Sequence, residues 1–387
     1  MRFLSPAFAM LLLTTPAHAQ CGGDFSAFVT ALKPEIRAEG LTARQVDGFL
    51  AGVTQDARVL RADRAQSFFR KDFIEFSRLL VSQNRMQAGA ANLAKYRAIF
   101  DRAEAEYGVS RGVLTAFWGL ETDFGAFQGD YNTRDALVTL AHDCRRPELF
   151  RPQILAAARL FARGDFDIAG VGAWAGEIGQ VQMLPIDIER NGVDGDGDGH
   201  VNLRSSPADA LLSGARMLQS LGWRAGEPWL QEVIVPEGLD WSKTGLETQL
   251  STADWSERGV RAREGSLARG LKASVVLPMG RKGPAFIAYP NFSVLFEWNQ
   301  SFAYVTTAAY YATRLLGAPA YQPGTPDPLL SLEDMKALQR ALAARGHDVG
   351  KVDGILGAMT RTAVQKEQMR LGLPADAWPT LELLRKL

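Results

Sequence analysis

Ser110-Arg-Gly-Val-Leu-Thr-Ala-Phe-Trp-Gly-Leu-Glu-Thr-Asp-Phe-Gly125 is the stretch on which the reading of this chain turns. Ser110 is a good helix N-cap, Leu114, Phe117 and Trp118 share one face at helical spacing, and Gly125 is placed to stop the helix. Glu121 does not fit that pattern. It falls four residues after Phe117 and three after Trp118, so a helix lays its carboxyl group on the apolar face. A carboxyl group there is partly desolvated, which raises its pKa towards neutrality, as a general acid requires. A frayed last turn that leaves Glu121 in water fits the same residues, and the stretch taken by itself leaves both readings open.

The chain has 387 residues and is 47% hydrophobic, enough for a sizeable core and more than one domain. Lysines plus arginines equal aspartates plus glutamates at 43 each, so no net field favours nucleic acid or an anionic membrane surface. A neutral polymer is the easier partner. Residues 1–19 carry Arg2, a short apolar run from Phe8 to Leu13, and Ala17-His18-Ala19, which together read as a secretory signal peptide with a small-x-small cleavage site. Cys21 follows, but Gln20 and the weak apolar lead-in favour a soluble exported protein over a lipid-anchored one. No later run is long enough to cross a bilayer. Cys21 and Cys144 are the two cysteines, and in an oxidising compartment they are expected to pair, pinning the mature N-terminus near the segment after Glu121.

Residues 24–107 read as helical throughout, with Thr42 and Gln45 as a capping-box pair. Leu93, Tyr96, Phe100, Ala103 and Tyr107 recur at three- and four-residue spacing before Gly108. The aromatic stripe of Phe68, Phe69, Phe73 and Phe76 is expected in the core. Turn and helix signals alternate from Phe127 to Phe161. A glycine- and alanine-rich stretch, Gly164 to Gly179, then runs into Gln180-Val181-Gln182-Met183-Leu184-Pro185. Such a loop could line a groove for sugar amides and hydroxyls, although a structural turn fits as well. Pro207 to Leu221 is helical, and residues 232–292 carry strand-like runs at Ala273–Leu277 and Ala285–Tyr289. A helix is expected over Asn291–Leu316. Gly317 to Pro328, rich in proline and glycine, reads as a linker. The final unit begins at a Ser331 cap, with Leu332, Met335, Leu338 and Leu342 on one face, a stop at Gly346, and a turn over Lys351–Gly357 before a second helix.

Asp194-Gly-Asp-Gly-Asp-Gly-His-Val-Asn202 sets side-chain oxygens at the first, third, fifth and ninth places of an EF-hand-type loop, with Gly199 sixth and a backbone carbonyl available at His200. Ser205 stands where such a loop closes with a bidentate Glu, and Asp209 is close enough in sequence to substitute. Three neighbouring carboxylates, Asp194, Asp196 and Asp198, repel one another without a cation, so calcium in a structural role is expected, held by Asp194, Asp196, Asp198, His200, Asn202 and Asp209.

Three stretches then agree. Trp118–Gly125, Gly176–Pro185 and Asn291–Ser301 together resemble the lytic murein transglycosylase B family, whose calcium site the acidic loop matches. The C-terminal unit resembles a three-helix peptidoglycan-binding domain through Leu338-Gln339, Gly346, Val352-Asp353-Gly354, Gly357, Thr360, Ala363 and Gly372-Leu373-Pro374. The resemblance implies a mainly α fold: a lysozyme-like catalytic core with a helical N-terminal part and a small β-containing insertion, followed by the wall-binding unit. The boundaries follow as a signal peptide over 1–19, a catalytic domain over 20–316, a linker over 317–328 and a peptidoglycan-binding domain over 329–387. It further implies Glu121 as the single catalytic acid/base, with Gln182, Tyr304, Asn299, Trp174 and Trp298 lining the substrate groove. Departures occur at Ala173, where relatives often carry serine, at Glu177, where a small residue is usual, and at Trp298, where tyrosine is common.

The implied reaction uses one carboxyl group twice, first to protonate the glycosidic oxygen and then to take the proton from the C6 hydroxyl of N-acetylmuramic acid as that hydroxyl closes a 1,6-anhydro ring. No cofactor takes part in the bond cleavage. A tethered hydroxyl in place of bimolecular water explains how one carboxylate suffices, where ordinary glycosidases use two. The alternatives are a lysozyme-type hydrolase with Asp123 or Glu177 as second carboxylate, and a non-catalytic wall-binding protein. Peptidoglycan glycan strands are the expected partner, the expected compartment is the periplasm, and the chain is expected to act as a monomer.

Overall fold

The computed structural model describes residues 21–65 and 71–387. The expected signal peptide, and Phe68 and Phe69 of the aromatic stripe, lie outside the described residues. The N-terminal part is a series of helices: α1 (Phe25–Ala38), α2 (Ala43–Leu50), α3 (Ala57–Arg64), α4 (Phe73–Leu80), α5 (Gln83–Lys95) and α6 (Arg97–Tyr107). The first five start on side-chain caps at Asp24, Thr42, Asp56, Asp72 and Ser82, and Thr42 and Gln45 form the full capping box. The pattern from Leu93 to Tyr107 is split at Tyr96, which ends α5 and opens α6. Gly108, at φ 69, then closes α6.

The chain continues through α7 (Arg111–Thr122), β1 (Tyr131–Asn132), α8 (Thr133–His142), α9 (Pro147–Arg163), β2 (Val171–Gly172), α10 (Pro185–Asn191) and α11 (Pro207–Ser220). The insertion expected from the strand-like runs is an antiparallel sheet. Its strands are β3 (Leu230–Ile234), β4 (Leu250–Ser251), β5 (Arg261–Ala262), β6 (Lys272–Val276) and β7 (Phe286–Ala288), in the order β4-β6-β7-β3-β5, with α12 (Thr252–Glu257) between β4 and β5. Its register places Val275 of β6 and Gln231 of β3 on either side of Ile287. The sheet has a core of its own around Trp255, Val275, Ile287 and Tyr289.

Two helices, α13 (Pro290–Trp298) and α14 (Phe302–Leu315), replace the single helix expected over Asn291–Leu316. The break has a local cause. Asn299 is extended and its Oδ1 accepts the Ser301 N–H, while Ser301 caps α14 by accepting the Tyr304 N–H. The C-terminal unit packs α15 (Leu332–Ala344), α16 (Ala358–Arg370) and α17 (Leu381–Lys386) around Met335, Leu338, Leu342, Val364 and Leu383.

Helix α7 is the centre of the large core. The sequence pattern assigns it one apolar face, yet Gly112 to Gly119 are all buried, because α5, α6, α11 and α14 surround it. Its stop also differs from the expected Gly125. Asp123 (φ 50) and Phe124 (φ 62) make the left-handed turn, with the Phe124 N–H on Trp118 O and the Asp123 N–H on Gly119 O, and the Phe124 ring packs on Trp118. An aspartate tolerates this conformation better than most residues, and Arg85 holds its carboxylate at 3.2 Å.

Two glycines seven residues apart let α14 come close to α7. A Cβ on Gly112 would lie 2.9 Å from the Ala312 carbonyl oxygen, and one on Gly119 would lie 3.3 Å from the Tyr311 ring. Gly112→Ala therefore meets backbone, which cannot swing aside. The clash, costing about 1–3 kcal/mol, should outweigh a helix-propensity gain of about 1 kcal/mol, so thermal unfolding should show a lower Tm for the variant. An unchanged or higher Tm would mean that α14 can back away freely.

Candidate active site

The end of α7 brings Glu121 to the break between α13 and α14. Its Oε1 accepts the Tyr304 hydroxyl at 2.5 Å and the Trp298 indole N–H at 3.3 Å, and Oε2 carries no hydrogen bond among the described residues. Trp298 is held in turn by stacking on Phe117, centroids 4.7 Å apart and 24° between planes, one turn before Glu121 on the same helix. A continuous helix over Asn291–Leu316 could not aim both donors at one oxygen. Asn299 is one of the expected groove residues, but its side chain is spent on the turn itself.

Burial pushes the Glu121 carboxyl group up to about 7, against the Tyr304 and Trp298 hydrogen bonds, which favour the carboxylate; the nearby Glu177 pushes it up further. Of the two sequence readings, the desolvated acid is the one the fold builds. Tyr304 is raised well above its ordinary value by burial and by the Glu121 charge, so it stays a donor over the working pH range.

The loop after β2 forms the neighbouring wall. It is closed by paired backbone bonds between Ile178 and Met183. Its two glutamines divide the work. Gln180 is buried, accepts the Trp118 indole N–H at 3.0 Å and donates to Arg204 O at 3.2 Å, and its own carbonyl takes the Thr122 hydroxyl at 2.6 Å. That clasp ties the loop to the last turn of α7, and the sequence did not signal it. Gln182 takes a left-handed conformation (φ 54), with Nε2 on Gly179 O at 2.8 Å and Gln128 O at 3.4 Å. Trp174 is half-buried against the main core.

The two candidates for a second carboxylate part company. Asp123 is exposed and paired with Arg85. Glu177 is raised by burial, and its Oε2 is buried with no hydrogen-bond partner. The unusual residue at 177 is therefore an acidic neighbour of Glu121, and of the two candidates for a second carboxylate it is the one whose charge acts on that acid.

In the acidic loop, carboxylate oxygens of Asp194, Asp196 and Asp209 converge to within 4.8 Å of one another. Asp209, fully buried at the start of α11, accepts the N–H groups of Gly195 and Asn202, and Asp194 accepts those of Gly197, Asp198 and Gly199. Three hard oxygen donors of one charge, one of them buried, fit a divalent cation. Of the rest of the expected set, the Asp198 carboxylate accepts the His200 N–H and Asn202 Oδ1 accepts the N–H groups of Arg204 and Ser205, while His200, expected to contribute its backbone carbonyl, places its ring 3.1 Å from Asp165. Cys21 and Cys144 form a disulfide with Cα atoms 5.2 Å apart, which fastens the segment before α1 to the end of α8.

The family model of the transglycosylase SLT domain matches residues 24–313, and a peptidoglycan-binding domain model matches residues 331–387. The chain belongs to the transglycosylase SLT family. Similar proteins include the membrane-bound lytic murein transglycosylase B of Escherichia coli K12, 27% identical over 311 residues that cover 76% of this chain and 84% of that one. SltB3 of Pseudomonas aeruginosa, solved with NAG-anhNAM-pentapeptide, is 37% identical with a TM-score of 0.86, covering 94% of this chain and 99% of that structure. The E. coli lytic transglycosylase Slt35 in complex with calcium is 23% identical with a TM-score of 0.64, covering 79% and 98%, and at that identity the likeness is one of fold. The mainly α architecture with a small sheet is that of the SLT family, and the C-terminal unit belongs to the separate peptidoglycan-binding match.

Tyr304→Phe removes the hydrogen bond that favours the ionised Glu121, so the acid should hold its proton to higher pH. The alkaline limb of the rate should move up by roughly one unit, while kcat falls by roughly tenfold or more for loss of a bond to a charged group. A pH-rate profile of the purified variant checks both.

Proposed function

We propose that this protein is a lytic murein transglycosylase that cleaves the β-1,4 bond between N-acetylmuramic acid and N-acetylglucosamine and leaves a 1,6-anhydro-N-acetylmuramic acid end. The observation that carries the reading is Glu121, raised to about 7 with one oxygen fixed by Tyr304 and Trp298 and the other free for substrate. In the protonated form Glu121 gives its proton to the glycosidic oxygen as the bond to C1 breaks. The resulting carboxylate then takes the proton of the C6 hydroxyl as its oxygen bonds to C1, so the acid is restored and no water is consumed. Tyr304 and Trp298 stabilise the carboxylate between the two proton transfers. Membership of the SLT family and the likeness to SltB3 support the same reaction.

Glu177 supports a second reading, in which a second carboxylate directs water to C1 and the product is a reducing sugar. Mass spectra of muropeptides released from intact sacculi separate the two, because the hydrolytic product is heavier by one water. Anhydro products are expected from the native protein and none from Glu121→Gln. Reducing ends would overturn the transglycosylase reading. The variant should fold. A carboxyl group raised on folding stabilises fully below its unfolded value near 4.5, and that contribution is lost as pH rises through about 7. Glu121→Gln should therefore gain about 1–3 kcal/mol on the native protein at pH 8 and little at pH 5, read by thermal melts at the two values.

Asp194, Asp196 and Asp209 would hold a structural calcium ion whose charge offsets their repulsion and ties the loop to α11. It supplies no step of the reaction. Added calcium should raise the Tm of chelator-treated protein and excess chelator should reverse it, whereas a Tm indifferent to both would remove the proposed site. Residues 1–19 would direct export to the periplasm, with the mature chain soluble, and residues 329–387 would bind peptidoglycan. Among the described residues no helix is long and apolar enough to cross a membrane.

A further inference from the structure

The segment read as a linker is strapped to the catalytic domain. Tyr321 packs between Phe73, Phe286 and Tyr310 and bonds Ser77 at 2.8 Å, the Gln322 N–H goes to Glu232, and the Thr325 N–H goes to Lys282 O. The C-terminal unit is docked on the same body. Gln365 of α16 donates to Trp241 O at 3.1 Å and Thr244 O at 2.8 Å, and the Arg281 N–H goes to Asp376 at 3.0 Å.

One contact of this seam reaches towards the active site. Arg361, on the first turn of α16, donates from Nη2 to Pro278 O at 2.7 Å and from Nη1 to Leu277 O at 3.4 Å, at the end of β6. Its guanidinium lies 4.7 Å over the ring of Phe302 and 5.6 Å over that of Trp378. Phe302 is buried and is the first residue of α14, two residues before the tyrosine that holds Glu121. A planar cation fixed by two carbonyls and laid on a ring restricts that ring more than an alkyl chain would. Burial lowers Arg361 to about 10, which leaves it charged at neutral pH.

We propose that Arg361 of the peptidoglycan-binding unit is a positioning residue for the catalytic acid. Seated on Phe302, it fixes the first turn of α14 and so the Tyr304 hydroxyl on Glu121, which makes the docked C-terminal unit a structural part of the active site and not solely an anchor. The inference rests on the assignment of Glu121 as the acid/base. Besides burial, the groups that set its titration are Tyr304 on α14, Trp298 on α13 and Glu177 on the loop, with Arg85 acting on Tyr304; Asp376 faces Arg361.

The test is turnover of a soluble NAG–NAM tetrasaccharide peptide by the full-length protein, compared with Arg361→Met and Gln365→Ala. The native arm reports the reaction itself: if it yields no anhydro product, the functional assignment fails before the variants are compared. Arg361→Met should lose kcat on the order of tenfold, less than the roughly hundredfold of a 1 Å misplacement, with KM within about twofold, since Arg361 acts on the acid through Phe302 and Tyr304 and not on substrate binding. The alkaline limb of its profile should move up, as in Tyr304→Phe, and Arg361→Lys should restore part of the rate. Gln365→Ala weakens the same seam away from α14 and should keep the native kcat and profile. If Arg361→Met gives no folded protein by circular dichroism, Phe302→Leu tests the same contact with the same expected loss and shift. Native kcat and profile in the folded variant at either position would overturn the proposal. So would an equal loss and shift in Gln365→Ala, because docking in general and not this contact would then be responsible.

Discussion

Holding a carboxyl group out of water on the last turn of a helix buried round its circumference is costly unless its charged form has somewhere to rest, and much of this structure answers to that need. Glu121 is desolvated enough to keep its proton near neutrality, while Tyr304 and Trp298 place two donors on one of its oxygens so that the carboxylate is tolerable when it forms. The two effects oppose each other, and their balance keeps the group near 7, where it can give up a proton and recover it within one turnover.

Each supporting element can be traced to that balance. The close approach of α14 to α7, permitted at Gly112 and Gly119, carries Tyr304 to the acid. The break at Asn299–Ser301 ends α13 where Trp298 can stack on Phe117 and reach the same oxygen. The Gln180 clasp holds the loop that supplies Glu177, whose charge works in the same direction as burial. These contacts come from four separate parts of the chain, so a disturbance in any one of them reaches the acid through the others.

The strap from Gly317 to Pro328 shows how composition can mislead about mobility. Proline and glycine mark a stretch without regular structure, and it has none, but Tyr321 seats an aromatic ring among Phe73, Phe286 and Tyr310. An extended chain with one half-buried ring packed on the core and bonded to Ser77 is an ordered connection. The domain that follows is consequently placed, and its Arg361 lies on Phe302.

Much of the fold and part of the site were legible in the sequence, because caps, periodicity and turn residues act over a few neighbouring positions. Ser110, Thr42, Ser331 and the strand-like runs of the insertion fall in this class. Glu121 was visible as a polar residue at an apolar position, and the acidic loop by its spacing. What the sequence could not contain is the meeting of distant segments. The stop of α7 at Asp123 in place of Gly125, the division of one expected helix into α13 and α14, the structural task of Gln180, the nearness of Glu177 and the seat of Arg361 all depend on partners about 40 or more residues away or on caps that compete with helix propensity. Local hydrogen-bonding preferences and hydrophobic spacing are properties of a short stretch and determined the elements. Desolvation and the pairing of donors with one carboxylate oxygen are properties of the packed interior, and only the tertiary structure decided them.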